Sequence, residues 1–577
     1  MSIVSISSGA PTVTSEDLHT LASKVGFTIE PRSEDEKAFL LFANSLDATA
    51  KEVENLPEYV DPRLLPTPVE GGDRKYIRPA PKDNPLNAWS HKSELKASSS
   101  GKLSGKTVAF KDNISVGSLP LTIGTSPTFF IDDKYPISTI DASVVSRVLA
   151  AGGHGKGTAV CENFSVFALS YSAHTGPVHN AWGKGYATGG SSSGCAALIS
   201  AKDVKVWKEM GRELPLPTDA LDEEGVDMGI GGDQGGSIRL PAAYSGIYGL
   251  KPTHGLIPYT GIANLLPSID HTGPMARSLE DIATLLTVLA GYDGIDPRQT
   301  PETPLRSNVL DYSALLASWI DSRRKVDEWT PSSSAKGLRI GILKEGWQVP
   351  GLDSEVSSLV RNAADRFRSL GAEVHEVSVP LHLQGAAIWS IACRPGMPAT
   401  QQNRAGDMLS HTLPGFEPRG PDQHLFDTLA HRNPAVPNIL LNAVHLETKY
   451  GPGLTRRAQM QVYALRAAYD EALEKCDVML TPVNPTVGMP HPKGLEEGGK
   501  GAPALELVQN AVGSTCNTCP FNVTGHPAMS VPVGWGRTRD GKGKLPVGMQ
   551  FVGKRWGELD VLKAASAWEV GGRGLWD

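Results

Sequence analysis

This chain has few cysteines, no long apolar run and no excess of basic residues. Six cysteines among 577 residues are too few for a disulfide framework. No run of 18 apolar residues occurs, so the sequence predicts no membrane span. Lys and Arg number 55 against 62 Asp and Glu, a net charge of −7. This balance gives no electrostatic footprint for nucleic acid or an anionic membrane surface.

Targeting signals are absent from both ends of the sequence. The N-terminus, MSIVSISSGAPTVTSEDLHTL, lacks a basic region followed by a long apolar segment. The C-terminus, GGRGLWD, carries no lipidation or retention signal. Together with the low cysteine content, these absences predict a reduced, cytoplasmic protein.

Metal and nucleotide motifs are missing as well. Cys516 and Cys519 form a single C-x-x-C without a second pair, and neither H-E-x-x-H nor a phosphate-binding G-x-x-x-x-G-K-[ST] loop occurs. A redox function for this pair is the weaker interpretation, because TCNTCPFN offers no electropositive activator. The sequence therefore predicts no metal site.

Apolar periodicity predicts a helical N-terminal segment followed by a long α/β region. The proline- and charge-rich stretch 61–89 indicates a linker or surface strap between them. Beyond it, strand and helix patterns alternate, as in GLRIGIL, SEVSSLVRNAADRFRSLG and AEVHEVSVP, which predicts an α/β fold with a mostly parallel or mixed sheet. We place the domains at 1–75 and 76–577, with a charged surface insertion at 201–226.

Two stretches rich in glycine and serine flank this insertion. The first, ATGGSSSGCAALIS, contains a G-x-S-x-G match that would make Ser192 the nucleophile of an α/β-hydrolase. That arrangement needs a buried strand before the serine, and HNAWGKGYATGG does not resemble one. A helix N-terminus with a serine cap is therefore the favoured interpretation.

The second stretch places four glycines within residues 231–236, directly before Ser237. Glycine permits tight turns and close approach at an entropic cost. Two explanations are open: a surface loop, or a loop whose backbone N–H groups all point at one place. Upstream, Lys111 ends the apolar run VAFK. It is either buried for a functional reason or a strand-end lysine that reaches solvent.

Taken together, these segments resemble the amidase signature family. Three segments of this chain look like the core motifs of that family: KDN at 111–113, GGSSSG at 189–194 and GGDQGGSIRLPAAYSGIYGLKPTHG at 231–255. The segments SIDHTGPMARSLEDIA, DVMLTPVNPT and FNVTGHPAMSVPVG follow in the family's order. Several independent motifs in one order form a specific signal. The sequences of these motifs are similar to those of amidases acting after nitrile hydratase in bacterial nitrile pathways, which also carry an N-terminal helical segment.

The resemblance implies an amidase-signature fold, in which helices cover both faces of a central mixed β-sheet and an N-terminal helical extension precedes it. It also implies a Ser–cis-Ser–Lys triad without metal or organic cofactor. Ser237 would be the nucleophile, Ser191 the bridging serine before a cis peptide, and Lys111 the terminal base. This chain departs from the family's usual residues in having Ser193 in place of Gly and Gly232 in place of Thr.

Amide hydrolysis explains why such residues are needed. Attack on the carbonyl forms an oxyanion, and losing one N–H donor to it typically costs about 10²–10³ in rate. The glycines would let Gln234, Gly235, Gly236 and Ser237 present their N–H groups in one concave turn. A lysine acts as a base only when neutral, so its pKa must fall by roughly 3 units from ~10.4.

Phe164 in CENFSVF is either a substrate-pocket residue or an ordinary core aromatic.

The sequence thus predicts a hydrolase that cleaves small amides to acid plus ammonia or amine through a seryl acyl-enzyme. Ester or carbamate (urethane) hydrolysis is a variant, because carbamates are isosteric with amides near the carbonyl. No nucleic-acid or membrane partner is expected. The resemblance leaves a homodimer open, since the N-terminal piece of similar amidases often packs against a second protomer.

Two other functions remain. One is the amidase subunit of a tRNA-dependent amidotransferase, which the N-terminal extension, the insertion and the GGDQGGS wording disfavour. The other is a catalytically silent scaffold or binding protein of the same fold, which the filled triad positions disfavour.

Overall fold

The computed structural model describes residues 11–216, 223–324, 330–402, 404 and 411–571. The chain divides into two compact units, Met1–Asp61 and Pro62–Asp577. The domain division at residue 75 stays a prediction. Residues 217–222 of the predicted insertion lie outside the described residues.

The described residues form fourteen strands and fifteen α-helices. The strands are β1 Tyr76–Ile77, β2 Trp89–Lys96, β3 Thr107–Lys111, β4 His154–Ala159, β5 His179–Asn180, β6 Gly183–Ala187, β7 Met228–Asp233, β8 Tyr248–Lys251, β9 His271–Ala276, β10 Arg339–Leu343, β11 Glu373–Val377, β12 Val478–Pro482, β13 Ala528–Arg537 and β14 Lys544–Gly553. The helices are α1 Ser15–Lys24, α2 Glu34–Glu54, α3 Ser143–Ala150, α4 Ser193–Glu209, α5 Arg239–Ser245, α6 Leu279–Leu289, α7 Tyr312–Arg324, α8 Ser354–Ser369, α9 Gly385–Cys393, α10 Gln423–Leu429, α11 Ala435–Tyr450, α12 Pro452–Leu473, α13 Ala504–Gln509, α14 Pro520–Thr524 and α15 Glu558–Gly571.

The first unit contains helices α1 and α2, and local caps begin both of them. Thr14 and Asp17 form a reciprocal capping box at the start of α1. At the start of α2, the Ser33 side chain accepts a hydrogen bond from the backbone N–H of Glu36. These bonds satisfy N–H groups that the first turn of a helix otherwise leaves without a partner.

A twelve-stranded mixed sheet runs through the second unit in the order β1-β2-β4-β3-β7-β9-β8-β13-β14-β12-β10-β11. Strand β3 lies parallel to both β4 and β7, and β10 lies parallel to β11 and β12. The connection β10–α8–β11 is a strand–helix–strand unit of the kind that joins parallel neighbours. Strands β5 and β6 pair separately.

Helices cover both faces of this sheet. Along β12, Val478 and Leu480 pack into one apolar cluster, whereas Met479 packs into another. Successive side chains of a strand point to opposite faces, so the two clusters lie on opposite sides. Phe367 of α8 belongs to the first cluster and Tyr469 of α12 to the second. The α/β fold predicted from the sequence, with its mixed sheet between helices, is confirmed.

Part of the predicted surface insertion is built into the core. Helix α4 continues to Glu209, and Ala201, Val204 and Trp207 are buried. Their spacing of three residues places them on one face of the helix. The Trp207 ring also packs edge-on against Trp182, with ring centroids 5.6 Å apart. One face of the helix over residues 201–209 is therefore packed against the core, whereas Lys205 and Glu209 stay exposed.

No helix in the described ranges is both long enough and apolar enough to span a bilayer.

Candidate active site

Lys111 is the last residue of β3, between β4 and β7, and it is 0% exposed. Its Nζ lies 2.8 Å from Ser191 Oγ and 3.4 Å from the carbonyl oxygen of Gly232. Burial lowers the pKa of Lys111, because an apolar environment disfavours the charged ammonium. The side chain thus points inward to a hydroxyl and does not reach solvent.

Ser191 lies in the turn between β6 and α4 and is fully buried. A cis peptide bond joins Gly190 to Ser191. The expectation from the sequence placed this bond after Ser191, and the structure places it before. The backbone N–H of Glu162 donates to the Ser191 carbonyl oxygen at 3.4 Å, so the segment beyond β4 also holds this turn.

Ser237 lies in the loop between β7 and α5 and is 8% exposed. Its hydroxyl has no hydrogen-bond partner among the described residues. Its carbonyl oxygen accepts the backbone N–H of Ser192 at 3.2 Å, which ties the two serine-containing loops together. A hydrogen bond between the Ser237 and Ser191 hydroxyls, which a proton relay requires, is not formed in this structure. The two loops are nevertheless neighbours, as the bond between Ser192 and Ser237 shows.

Ser192, the alternative nucleophile, is engaged with the backbone. Its hydroxyl donates to the Gly232 carbonyl at 3.1 Å and accepts the Gly232 N–H at 3.2 Å. The strand before it, β6, belongs to the small β5–β6 sheet and not to the central one. A nucleophile elbow needs a strand of the central sheet and an exposed hydroxyl, and Ser192 has neither.

The loop before Ser237 is held from inside by Asp233. The Gly236 N–H donates to Asp233 Oδ1 at 2.7 Å, and the Ile238 N–H donates to Asp233 Oδ2 at 3.1 Å. This differs from the prediction that Gly236 donates to an oxyanion, because its N–H already has an acceptor. Gln234, Gly235 and Ser237 remain as the predicted donors.

Asp233 is itself anchored by a buried arginine. Arg239 Nη2 lies 2.9 Å from Asp233 Oδ1, and Arg239 Nε lies 3.0 Å from Oδ2. Burial alone would raise the pKa of Asp233, but the Arg239 charge and a hydrogen bond from Asn522 outweigh it and hold this pKa below its usual range. A carboxylate that remains charged keeps accepting the two loop N–H groups.

Comparison with known proteins shows the family of this chain. The family model described as Amidase matches residues 80–206 and 221–562. The chain belongs to the amidase signature family. It is therefore an amidase-family hydrolase, and the gap 207–220 between the two matched blocks falls within the predicted insertion.

Individual relatives align with most of this chain. An enantioselective amidase from Rhodococcus rhodochrous is 34% identical over 538 residues, which is 92% of this chain and 90% of the relative. One subunit of the glutamyl-tRNA(Gln) amidotransferase from Methanosarcina barkeri is 31% identical over 81% of this chain and 85% of its own length. The crystal structure of peptide amidase from Stenotrophomonas maltophilia superimposes with a TM-score of 0.56 at 25% identity, covering 82% of this chain and 84% of that one.

Ser193, one of the two departures from the family's usual residues, pairs with a buried carboxyl group. The Ser193 hydroxyl donates to Glu162 Oε1 at 2.9 Å, and both side chains are buried. Burial raises the pKa of Glu162 to about 7, although hydrogen bonds from Ser172 and Ser193 oppose the rise. Ser193 thus gives this buried carboxyl a partner that glycine could not provide. Nothing in the local sequence around Glu162 or Ser193 indicated this pairing.

Phe164 is 5% exposed, and its ring lies 6.1 Å from that of Phe129. This is the environment of a core aromatic, and its assignment to a substrate pocket stays a prediction.

The residues Cys516 and Cys519 carry free thiols. Burial raises the pKa of both, which lowers the thiolate fraction that redox chemistry needs. Within the described part of the chain, no group of three or more His, Cys, Asp or Glu side chains is arranged to hold a metal ion.

Gly236 is the position at which the loop tolerates a side chain least. Its φ is +138°, and an added Cβ would lie 2.5 Å from Thr518 Oγ1 and 2.9 Å from Leu240 Cγ. We expect Gly236→Ala to cost about 1–3 kcal/mol of stability and to lower kcat, because the displaced loop carries Ser237. Gly185→Ala is the matched control, with φ +88° and nothing within 4 Å of the new Cβ. Full activity in Gly236→Ala, measured beside its thermal unfolding, would contradict this account of the loop.

Proposed function

We propose that the protein is a Ser–cis-Ser–Lys hydrolase that cleaves carboxylic amides to acid plus ammonia or amine through an acyl-enzyme on Ser237. The observation that carries the proposal is the buried Lys111, with its lowered pKa, 2.8 Å from Ser191 Oγ and beside the Ser237 loop. A base, a relay and a free hydroxyl are the parts that covalent acyl transfer needs.

In the proposed reaction, neutral Lys111 takes the Ser191 proton while Ser191 takes that of Ser237. The Ser237 oxygen then attacks the amide carbon, and a tetrahedral oxyanion forms. The proton returns from Lys111 through Ser191 to the leaving nitrogen, the C–N bond breaks, and the acyl group stays on Ser237. Water, deprotonated by the same route, hydrolyses the ester and restores all three residues.

The oxyanion would be held by backbone N–H groups from Gln234, Gly235 and Ser237. Such donors are fixed before the reaction and need no reorganisation when charge develops on the oxygen. Asp233 supports the same loop by accepting the Gly236 N–H. The glycine-rich segment thus combines a donor array with a carboxylate anchor.

A free-standing amidase is preferred over an amidotransferase subunit. The similarity to the enantioselective amidase extends over 92% of this chain, whereas that to the amidotransferase subunit extends over 81%. Glutaminase activity that appears only with a partner protein would favour the amidotransferase function instead. Covalent labelling of Ser237 would argue against a silent scaffold.

The substrate we propose is a small amide, with esters and carbamates as variants, and a homodimer remains part of the proposal. The test is a panel of matched amides, esters and carbamates with the purified full-length protein. Amide turnover without a partner supports the proposal. Turnover of none of the three classes overturns it.

Independence from metal ions is a further expectation, because the triad supplies both base and nucleophile. Prolonged incubation with a chelator followed by desalting should leave kcat and KM unchanged, as measured by release of acid from an amide. A loss that added Zn²⁺ or Mn²⁺ restores would show that the triad is not the whole mechanism.

A further inference from the structure

The indole of Trp389, on helix α9, packs against the loop that precedes Ser237. Its Nε1–H donates to the carbonyl oxygen of Gln234 at 3.0 Å. Its Cζ2 lies 3.4 Å from the position that a Cβ on Gly235 would occupy. Trp389 therefore both bonds to this loop and covers it.

The bonded carbonyl belongs to a specific peptide group. The C=O of Gln234 and the N–H of Gly235 share one planar peptide unit and point in opposite directions when it is trans. A donor that fixes the carbonyl therefore fixes the direction of the N–H. A hydrogen bond to the carbonyl also polarises the peptide and strengthens the N–H as a donor.

The next peptide group is held differently. Thr518 Oγ1 donates to the Gly235 carbonyl at 2.6 Å, and the Gly236 N–H of the same peptide donates to Asp233. Both the C=O and the N–H of that peptide group have hydrogen-bond partners within the protein, so the group has a structural function. The Gln234–Gly235 peptide instead has its carbonyl held by Trp389 and its N–H among the proposed oxyanion donors.

Apolar packing keeps the indole in place. Trp389 packs against a cluster that includes Leu265, Ile269 and Cys393, with Leu266 and Val166 at its edge. The indole is half-buried, so its ring is restrained on one side and borders the loop on the other. A restrained donor holds a peptide plane with little conformational freedom to lose.

We infer that Trp389 is a positioning residue, whose indole N–H holds the Gln234–Gly235 peptide with its N–H directed at the oxyanion. The inference rests on the proposed function. It implies that Trp389 acts in the transition state, where the oxygen is charged, and contributes little to binding of the neutral substrate.

The test replaces Trp389 by Phe, which keeps an aromatic ring and removes the donor. We expect kcat for an amide to fall about 10-fold to 100-fold, up to the scale of a lost oxyanion donor, while KM changes less than about twofold. Affinity for a boronic acid that forms a tetrahedral serine adduct should fall by a similar factor. Benzothienylalanine at position 389 keeps the bicyclic shape without the N–H, and it should give the same result if the Phe variant folds poorly.

Trp568→Phe is the matched control. Its Nε1–H also donates to a backbone carbonyl, that of Pro532, at 2.9 Å, but on helix α15. That variant should lose stability without losing kcat. If both Trp389 substitutions lower only the melting temperature, or raise KM at constant kcat, the inference is overturned. Activity that persists in Ser237→Ala would instead overturn the proposed function, so the two failures are distinguishable.

Discussion

Ser237→Ala is expected to lower amide turnover by about 10⁴-fold or more, the scale on which removal of a catalytic serine acts. The reason is that the proposed acyl-enzyme forms on Ser237, whose hydroxyl makes no hydrogen bond among the described residues. The melting temperature should therefore stay near that of the unchanged protein. Steady-state amide hydrolysis and thermal unfolding of the same preparation measure both.

Ser192→Ala is the control for this prediction. Its hydroxyl exchanges hydrogen bonds with the Gly232 backbone at 3.1 and 3.2 Å, and losing a buried bond of this kind costs about 0.5–1.5 kcal/mol. We expect lower stability with most of the activity retained. The opposite pattern, with Ser192→Ala inactive and Ser237→Ala active, would establish the hydrolase elbow and refute our assignment.

Covalent labelling provides a second check on the nucleophile. A phosphonofluoridate that reacts with activated serines should modify the protein at Ser237, as located by peptide mass spectrometry. An unreactive Ser192 in the same digest gives the internal comparison. Modification at Ser192 alone would contradict the assignment, and no modification at all would support the silent-scaffold alternative.

Much of the fold followed from local pattern. The strand–helix–strand run β10–α8–β11 was predictable because each element carries its own apolar periodicity and turn residues. The residues alone left open whether Lys111 and the glycines before Ser237 form a site, and it was the resemblance to the amidase signature family that implied the triad. A lysine at the end of an apolar strand and four glycines before a hydroxyl are costly unless the fold uses them.

The details that the sequence did not predict depend on contacts between distant segments. Trp389 is 155 residues from Gln234, whose carbonyl it binds, and nothing in the local sequence of α9 indicates that contact. The sequence predicted that the Gly236 N–H donates to an oxyanion, but in the structure it donates to the Asp233 side chain. The charged stretch after Ser200 indicated a surface, but its apolar residues at helical spacing continue α4 into the core.

The lysine should set the acid side of the pH profile. Burial lowers the pKa of Lys111, so the neutral form is available below the ordinary range of lysine. The value of kcat/KM should fall as the pH drops through this lowered pKa, because protonation removes the lone pair that accepts the proton from Ser191. Rates measured across pH on a substrate without titratable groups report this limb directly.

Lys251 provides the control for that assignment. It is also fully buried with a lowered pKa, but its Nζ donates to the Pro252 carbonyl at 3.0 Å and contacts neither serine. In Lys251→Met, the acid limb should keep its position even where stability changes. A limb that moves or vanishes in this variant would assign the titration to Lys251.

Lys111→Ala and Lys111→Arg should both be nearly inactive on amides. Arginine keeps a positive charge but stays protonated at accessible pH, so the Arg variant separates the need for a charge from the need for a base. Esters should lose less activity than amides, because their leaving group needs less proton donation when the C–O bond breaks. The informative measurement is therefore the ratio of amide to ester turnover, which should fall well below that of the unchanged protein. Near-normal amide turnover in Lys111→Arg would mean that the proton leaves Ser237 by another route, even with Ser237 as the nucleophile.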